Sequence, residues 1–274
     1  MLRLLLVATL TGCTTAVGAV PFLFAREISR RTYDLLLGFG AGLMLAAATL
    51  GLLPAALRGV RVDDAVDAFR LARALGGFAA GVALLALLDR LIPHLHAGGH
   101  LQHQEAGEHG EHANCDHKDV DDRARHQGLL VLGAMSLHRL PEGFAIGAGF
   151  AAGALRPLGI MLAVAVAAQN AVEGAVMAAP LRRGGLGPIR LLLVVGATGL
   201  TVPAAALAGY FLSGANPGAL PIVLALAAGA LIYLTCNEII PESHSHANER
   251  RATFGLISGF VLIILLQVLT GHAD

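Results

Sequence analysis

In the stretch S-L-H-R-L-P-E-G, Ser136 to Gly143, a histidine, an arginine and a glutamate interrupt a segment that reads Gly128 to Phe150 as almost wholly apolar. Such a segment is long enough to cross a bilayer. Each charged side chain there costs about 2.5–3.5 kcal/mol at mid-membrane on insertion scales, so His138, Arg139 and Glu142 mark a functional site. His138 and Glu142 stand at i, i+4, one turn apart on one helix face. Pro141 has no N–H for the carbonyl of Leu137, which is expected to bend the helix and leave an acceptor facing any cavity alongside. The next apolar segment repeats the arrangement: Q-N-A-V-E-G, Gln169 to Gly174, sets Gln169 and Glu173 at i, i+4, with Asn170 three residues before Glu173. Two adjacent helices thus offer His138, Glu142, Gln169 and Glu173 to a single ion. Neutral imidazole and carboxylates suit Zn²⁺ and its first-row neighbours, and an amide oxygen adds a weaker, harder ligand. Gly143 and Gly174, each directly after its glutamate, are expected to let the two backbones approach closely. Mutual pairing of these polar groups inside a bundle is the competing structural account. The recurrence of two carboxylates, an imidazole and an amide at helical spacing favours a metal.

The elements that position these groups follow from composition. The 274 residues are 55% hydrophobic and 14% charged, with a mean hydropathy of +0.68, far more apolar than a soluble domain of that length. This is a polytopic membrane protein. Trp is absent, while 34 glycines and abundant alanine suit close helix packing in lipid. A formal net charge of zero argues against a nucleic-acid partner. Cys13, Cys115 and Cys236 lack C-x-x-C spacing, so neither a disulfide framework nor a zinc ribbon is indicated. L-T-G-C at Leu10 to Cys13 is similar to a lipoprotein signal, but the apolar run continues to Ala25, and a first transmembrane helix is the preferred reading.

Hydropathy predicts an all-α protein with eight transmembrane helices at about 2–25, 33–57, 74–93, 128–152, 157–180, 189–212, 219–241 and 252–271. The first three (residues 1–93) and the last five (residues 128–274) form one integral membrane domain. Between them, about 94 to 127, lies a polar loop with no apolar period that could build a core. It holds His94, His96, His100, His103, His109, His112, His117 and His126, interspersed with Glu105, Glu108, Glu111 and Asp116. Flexible imidazoles at this density bind metal weakly and in many geometries. Lys and Arg are more numerous after odd-numbered spans, which places this loop in the cytoplasm and both termini outside. The second span reads A-G-L-M-L-A-A-A-T-L-G-L-L-P-A from Ala41 and the seventh A-G-A-L-I-Y-L-T-C-N-E-I-I-P-E from Ala228, both running Ala-Gly to Pro at one spacing. They cross in opposite directions, as in an inverted repeat of helices 1–3 and 6–8 around central helices 4 and 5.

H-R-L-P-E-G resembles the H-N-x-P-E-G of the fourth span in the ZIP family of divalent-metal transporters, and Q-N-A-V-E-G resembles that family's fifth-span motif. N-E-I-I-P-E-S, Asn237 to Ser243, is similar to the seventh-span H-E-I-I-P-E-S of its bacterial members. The resemblance covers essentially the whole chain. It implies an importer in the inner membrane whose midplane site opens alternately to each side, with His138, Glu142, Gln169 and Glu173 as primary ligands and Met44 as a thioether ligand. Zn²⁺ is the expected substrate, with Cd²⁺, Fe²⁺, Mn²⁺, Co²⁺ and Ni²⁺ as other candidates; the lipid bilayer and a homodimer complete the expected partners.

Several departures bear on a second metal site that many family members build beside the first. Arg139 replaces the motif's Asn, Asn170 stands where an acid is common, and Val202 and Pro203 occupy the sixth span where a glutamate is usual. Asn237 replaces the seventh-span histidine, leaving Glu238. Three carboxylates, Glu142, Glu173 and Glu238, against one permanently charged guanidinium leave two negative charges, which one divalent ion neutralises. Arg139 is therefore expected to bridge the glutamates as a resident substitute for a second ion. Glu242, with His244 and His246 just beyond it, is placed on an exit route. A membrane-embedded metalloenzyme activating water is an alternative. It lacks parts, since no nucleophile elbow, H-E-x-x-H or phosphate-binding loop is present, and an enzyme is not expected. A metal exporter or sensor is the other alternative.

Overall fold

A computed structural model of the chain describes residues 1–24, 29–58, 60–62, 65–91, 133, 136–151, 156–214, 216, 218–245 and 248–269. The eight loop histidines, His94 through His126, and His246 lie outside these residues. The described residues form helical units apart from short connections and one two-residue antiparallel ladder, β1 (Arg61–Val62) with β2 (Ala65–Val66). The helical units are α1 (Leu2–Leu23), α2 (Arg30–Leu57), α3 (Ala68–Leu91), α4 (136–151), α5 (Arg156–Arg183), α6 (Pro188–Gly214), α7 (Ala219–Ser243) and α8 (Glu249–Leu269). Among the described residues, α1 to α3 and α5 to α8 each contain a stretch long and apolar enough to cross a membrane.

Helix starts are set by capping side chains that hydropathy does not register. Ser29 Oγ accepts the Thr32 N–H at 3.1 Å, so α2 begins at Arg30 and not near residue 33. Asp67 Oδ1 accepts from the N–H groups of both Phe69 and Arg70 at 3.1 Å, and its other oxygen meets Arg70 Nε at 3.0 Å. This cap starts α3 at Ala68, well before the expected residue 74, with a polar first turn.

Three helices are irregular along their length. In α2 the segment Ala47–Leu52 is π-helical and in α7 the segment Thr235–Ile239 is, each followed two residues on by a proline, Pro54 and Pro241. Pro54 has no N–H for the carbonyl of Leu50, and Gln267 on α8 donates its amide to that oxygen at 2.8 Å. The third, α6, is broken into Pro188–Thr198 and Thr201–Gly214 by a turn at Gly199 and Leu200.

Helices pack in pairs at glycines where backbones touch. A Cβ at Gly18 would lie 1.8 Å from Ala171 O and one at Gly174 2.0 Å from Thr15 O, joining α1 to α5. Gly147 meets Ala206 and Gly209 meets Phe144, joining α4 to α6. Gly42 and Gly259 seal α2 against α8, and Gly81 and Gly229 seal α3 against α7. The expectation for Gly143 and Gly174 is thereby corrected: they do not bring α4 and α5 together. Gly143 backs onto Val202 of α6 and Gly174 onto Thr15 of α1, so each lets its helix dock outward while its glutamate faces the other way along the bundle. Leu43, Met44, Ile146, Met161, Leu162 and Leu224 fill the core among all these helices.

Candidate metal site

The stretch 136–151 is helical throughout, Pro141 included, and sets His138, Arg139 and Glu142 on consecutive turns. Gln169, Asn170 and Glu173 lie within the helical run of α5. All six are buried; Arg139 has no solvent-exposed surface and is the largest side chain among the described residues to be so enclosed. Buried charges persist only where paired or hydrogen-bonded, and most of these are. Gln169 Nε2 donates to Glu142 Oε1 and, at 2.8 Å, to Glu173 Oε1. Arg139 Nε donates to Glu173 Oε2 at 3.2 Å, and its Nη1 donates to Thr198 Oγ1 of α6. Among the described residues, Arg139 Nη2 and Glu142 Oε2 have no hydrogen-bond partner.

Arg139 does not bridge the glutamates as expected. It holds Glu173 by hydrogen bond, and the bridge between the carboxylates is the Gln169 amide, whose two N–H groups serve one oxygen each. His138 is paired with a third helix, its Nε2 lying 3.2 Å from Glu238 Oε2 of α7. Met44, fully buried, has its sulfur 3.6 Å from Thr235 Oγ1. That hydroxyl also reaches Leu231 O at 2.7 Å, the better acceptor for its single proton. Asn170 turns to α1, donating to Thr11 O at 3.0 Å. Asn237 donates to Asp89 Oδ2 of α3 at 3.3 Å, and Glu242 is half-buried near the end of α7. Among the described residues no three His, Cys, Asp or Glu side chains are gathered closely enough to hold an ion. The glutamate pair and His138 are each tied to neighbours instead.

Three participants escape sequence reasoning. Thr198 and Thr235 are hydroxyls in apolar spans that also bond their own helix backbone, Thr198 to Val195 O at 2.6 Å, and that pattern carries no sign of a tertiary partner. Asp89 sits in L-L-D-R-L at a helix end, where a carboxylate beside an arginine reads as a solvated terminus. Its bond to Asn237 is visible only once α3 lies against α7.

Helices of spanning length around a fully buried, charged network define a multi-pass membrane protein with an ionisable site enclosed among its helices. The comparisons name the group. The chain matches the ZIP zinc transporter family over residues 1–128 and 97–267. It is 39% identical to zinc transporter ZIPB of Bordetella bronchiseptica, over 94% of this chain and 78% of that protein. It is 33% identical to zinc transporter GufA of Myxococcus xanthus, over 97% and 98%. It is 29% identical to zinc transporter ZIP11 of Homo sapiens, over 94% of each. The chain belongs to the ZIP zinc transporter family, whose members are transporters and not enzymes.

Proposed function

We propose that this protein carries Zn²⁺ or a similar divalent ion into the cytoplasm by alternating access at a site between α4 and α5. His138, Glu142, Gln169 and Glu173 are its ligands and Met44 a fifth. The observation that carries the reading is the link from Glu142 through Gln169 to Glu173, buried at mid-span on two neighbouring helices. The position between those carboxylates is filled by an amide NH₂, a weak positive pole. A cation replaces it with far greater electrostatic gain, and half a turn about the terminal bond of Gln169 then presents its oxygen in place of its nitrogen. His138 exchanges its contact with Glu238 for the ion, and Glu238, Asn237 and Glu242 line the way out toward the cytoplasm. Arg139 supplies a fixed positive charge, so one divalent ion neutralises the remaining acids.

Alternating access draws support from the packing. Exchanging α1 with α6, α2 with α7, α3 with α8 and α4 with α5 turns the α1–α5 pair into α6–α4 and the α2–α8 pair into α7–α3. The π segments of α2 and α7, with Pro54 and Pro241, also correspond under that exchange. This is the relation expected of an inverted repeat of eight spans, with both termini outside the inner membrane. Zinc uptake into proteoliposomes tests the function. Wild type accumulates the ion down its gradient, while His138→Ala and Glu173→Ala do not. Accumulation by both variants at the wild-type rate, or flux only in the outward direction, contradicts the reading.

A further inference from the structure

Arg139 and Glu142 stand at i, i+3 on α4, close enough for a guanidinium to close on the carboxylate. It is instead drawn across to α6, where Nη1 donates to Thr198 Oγ1. Thr198 passes the bond on: its own proton goes to Val195 O at 2.6 Å, which leaves the hydroxyl oxygen purely an acceptor toward a group that can only donate. Thr198 is also the last residue of the first half of α6, Pro188–Thr198. The break that creates this end is pinned by α1. A Cβ at Gly199 would lie 2.1 Å from Gly12 O, and one at Gly12 would lie 2.2 Å from Gly199 O, so neither position accepts a side chain.

We infer that Thr198 is a positioning residue: it holds the Arg139 guanidinium against the end of the α6 half-helix, so that the cation pairs with Glu173 while Glu142 stays open to the transported ion. This rests on the ligand assignment above. When the Thr198 hydroxyl is removed, a buried N–H loses its acceptor. Glu142 Oε2, which has no hydrogen-bond partner among the described residues and lies three residues along the same helix, is the acceptor that replaces it. A guanidinium closed on Glu142 competes with the metal for the same oxygens.

The test is titration of Zn²⁺ onto the purified full-length protein against a competing fluorescent chelator. Binding at the site is defined as the part lost in the double variant His138→Ala, Glu142→Ala. Thr198→Val is expected to weaken that binding about tenfold or more, the scale of a hydrogen bond to a charged group. Thr198→Ser, which keeps the hydroxyl, restores it to near wild type. In an Arg139→Gln background Thr198→Val changes nothing further, which a purely structural role for the threonine would not produce. An equal loss with and without Arg139, or no loss in either, overturns the inference. Wild-type zinc binding that is indifferent to the double variant overturns the ligand assignment first, and the positioning role with it.

Discussion

Gln169 on α5 donates its side-chain amide to Glu142 on α4, and the second proton of the same NH₂ group goes to Glu173 one turn further along α5. Two buried acids are thus joined by one neutral donor, and a guanidinium holds the second of them, Glu173. Glu142 Oε2 and Arg139 Nη2 are left without a hydrogen-bond partner among the described residues.

Gln169→Leu keeps the volume and removes both donors. Each hydrogen bond to a charged group is worth roughly 1.5–3 kcal/mol, so thermal unfolding in the absence of metal falls by several degrees. Saturating zinc narrows the gap if the ion takes over the role of the lost amide. Thermal shift with and without metal, on both proteins, measures this.

If Arg139 stands in for a second ion, its removal raises the number of ions that the site takes. Wild type is expected to bind one zinc per chain at the site, after subtraction of what His138→Ala, Glu142→Ala retains, and Arg139→Asn more than one. Metal content after equilibrium dialysis reports the number. Two ions in the wild type remove the resident-cation account.

The packing account separates glycines that face a backbone from one that does not. Gly174→Ala drives a methyl into Thr15 O, 2.0 Å from the Cβ position, and is expected to destabilise the protein by about 1–3 kcal/mol. Gly76→Ala on α3, where nothing lies within 4 Å, is expected to leave stability unchanged or raise it by about 0.5–1 kcal/mol through helix propensity. Both are read by detergent-resistance melting curves.

Gln267→Leu removes the donor that answers the Leu50 carbonyl left over by Pro54. The part-buried acceptor then loses its partner, at a cost of about 1 kcal/mol. Restoring an N–H with Pro54→Ala in the same chain is expected to recover much of the loss. A double-mutant cycle on thermal stability checks the coupling.

Much of the fold was legible because lipid allows so few solutions. Runs of apolar residues about 20 long must be helices, and intramembrane His138, Arg139, Glu142, Gln169 and Glu173 must face the interior. The Ala-Gly-to-Pro repeat carried no sign of the π segments, which lie within both copies and stop two residues short of Pro54 and Pro241. Partner choice was hidden. Gly143 and Gly174 looked equivalent, yet each backs onto a different outer helix, because a glycine specifies a close approach without saying whose backbone approaches. The reach of Arg139 to Thr198 depends on a break in α6 fixed by α1, a relation spread over three distant segments. Asp67 and Ser29 read as loop residues because hydropathy weighs side chains and not the N–H groups that they cap.

Anomalous diffraction from crystals grown with zinc tests the central claim most directly. The account predicts a zinc peak between α4 and α5 within coordinating distance of Glu142, Glu173, His138 and the Gln169 side-chain oxygen, with Arg139 still against Thr198. Zinc found only elsewhere on the protein, with the Gln169 amide still joining the two glutamates at saturating metal, contradicts it.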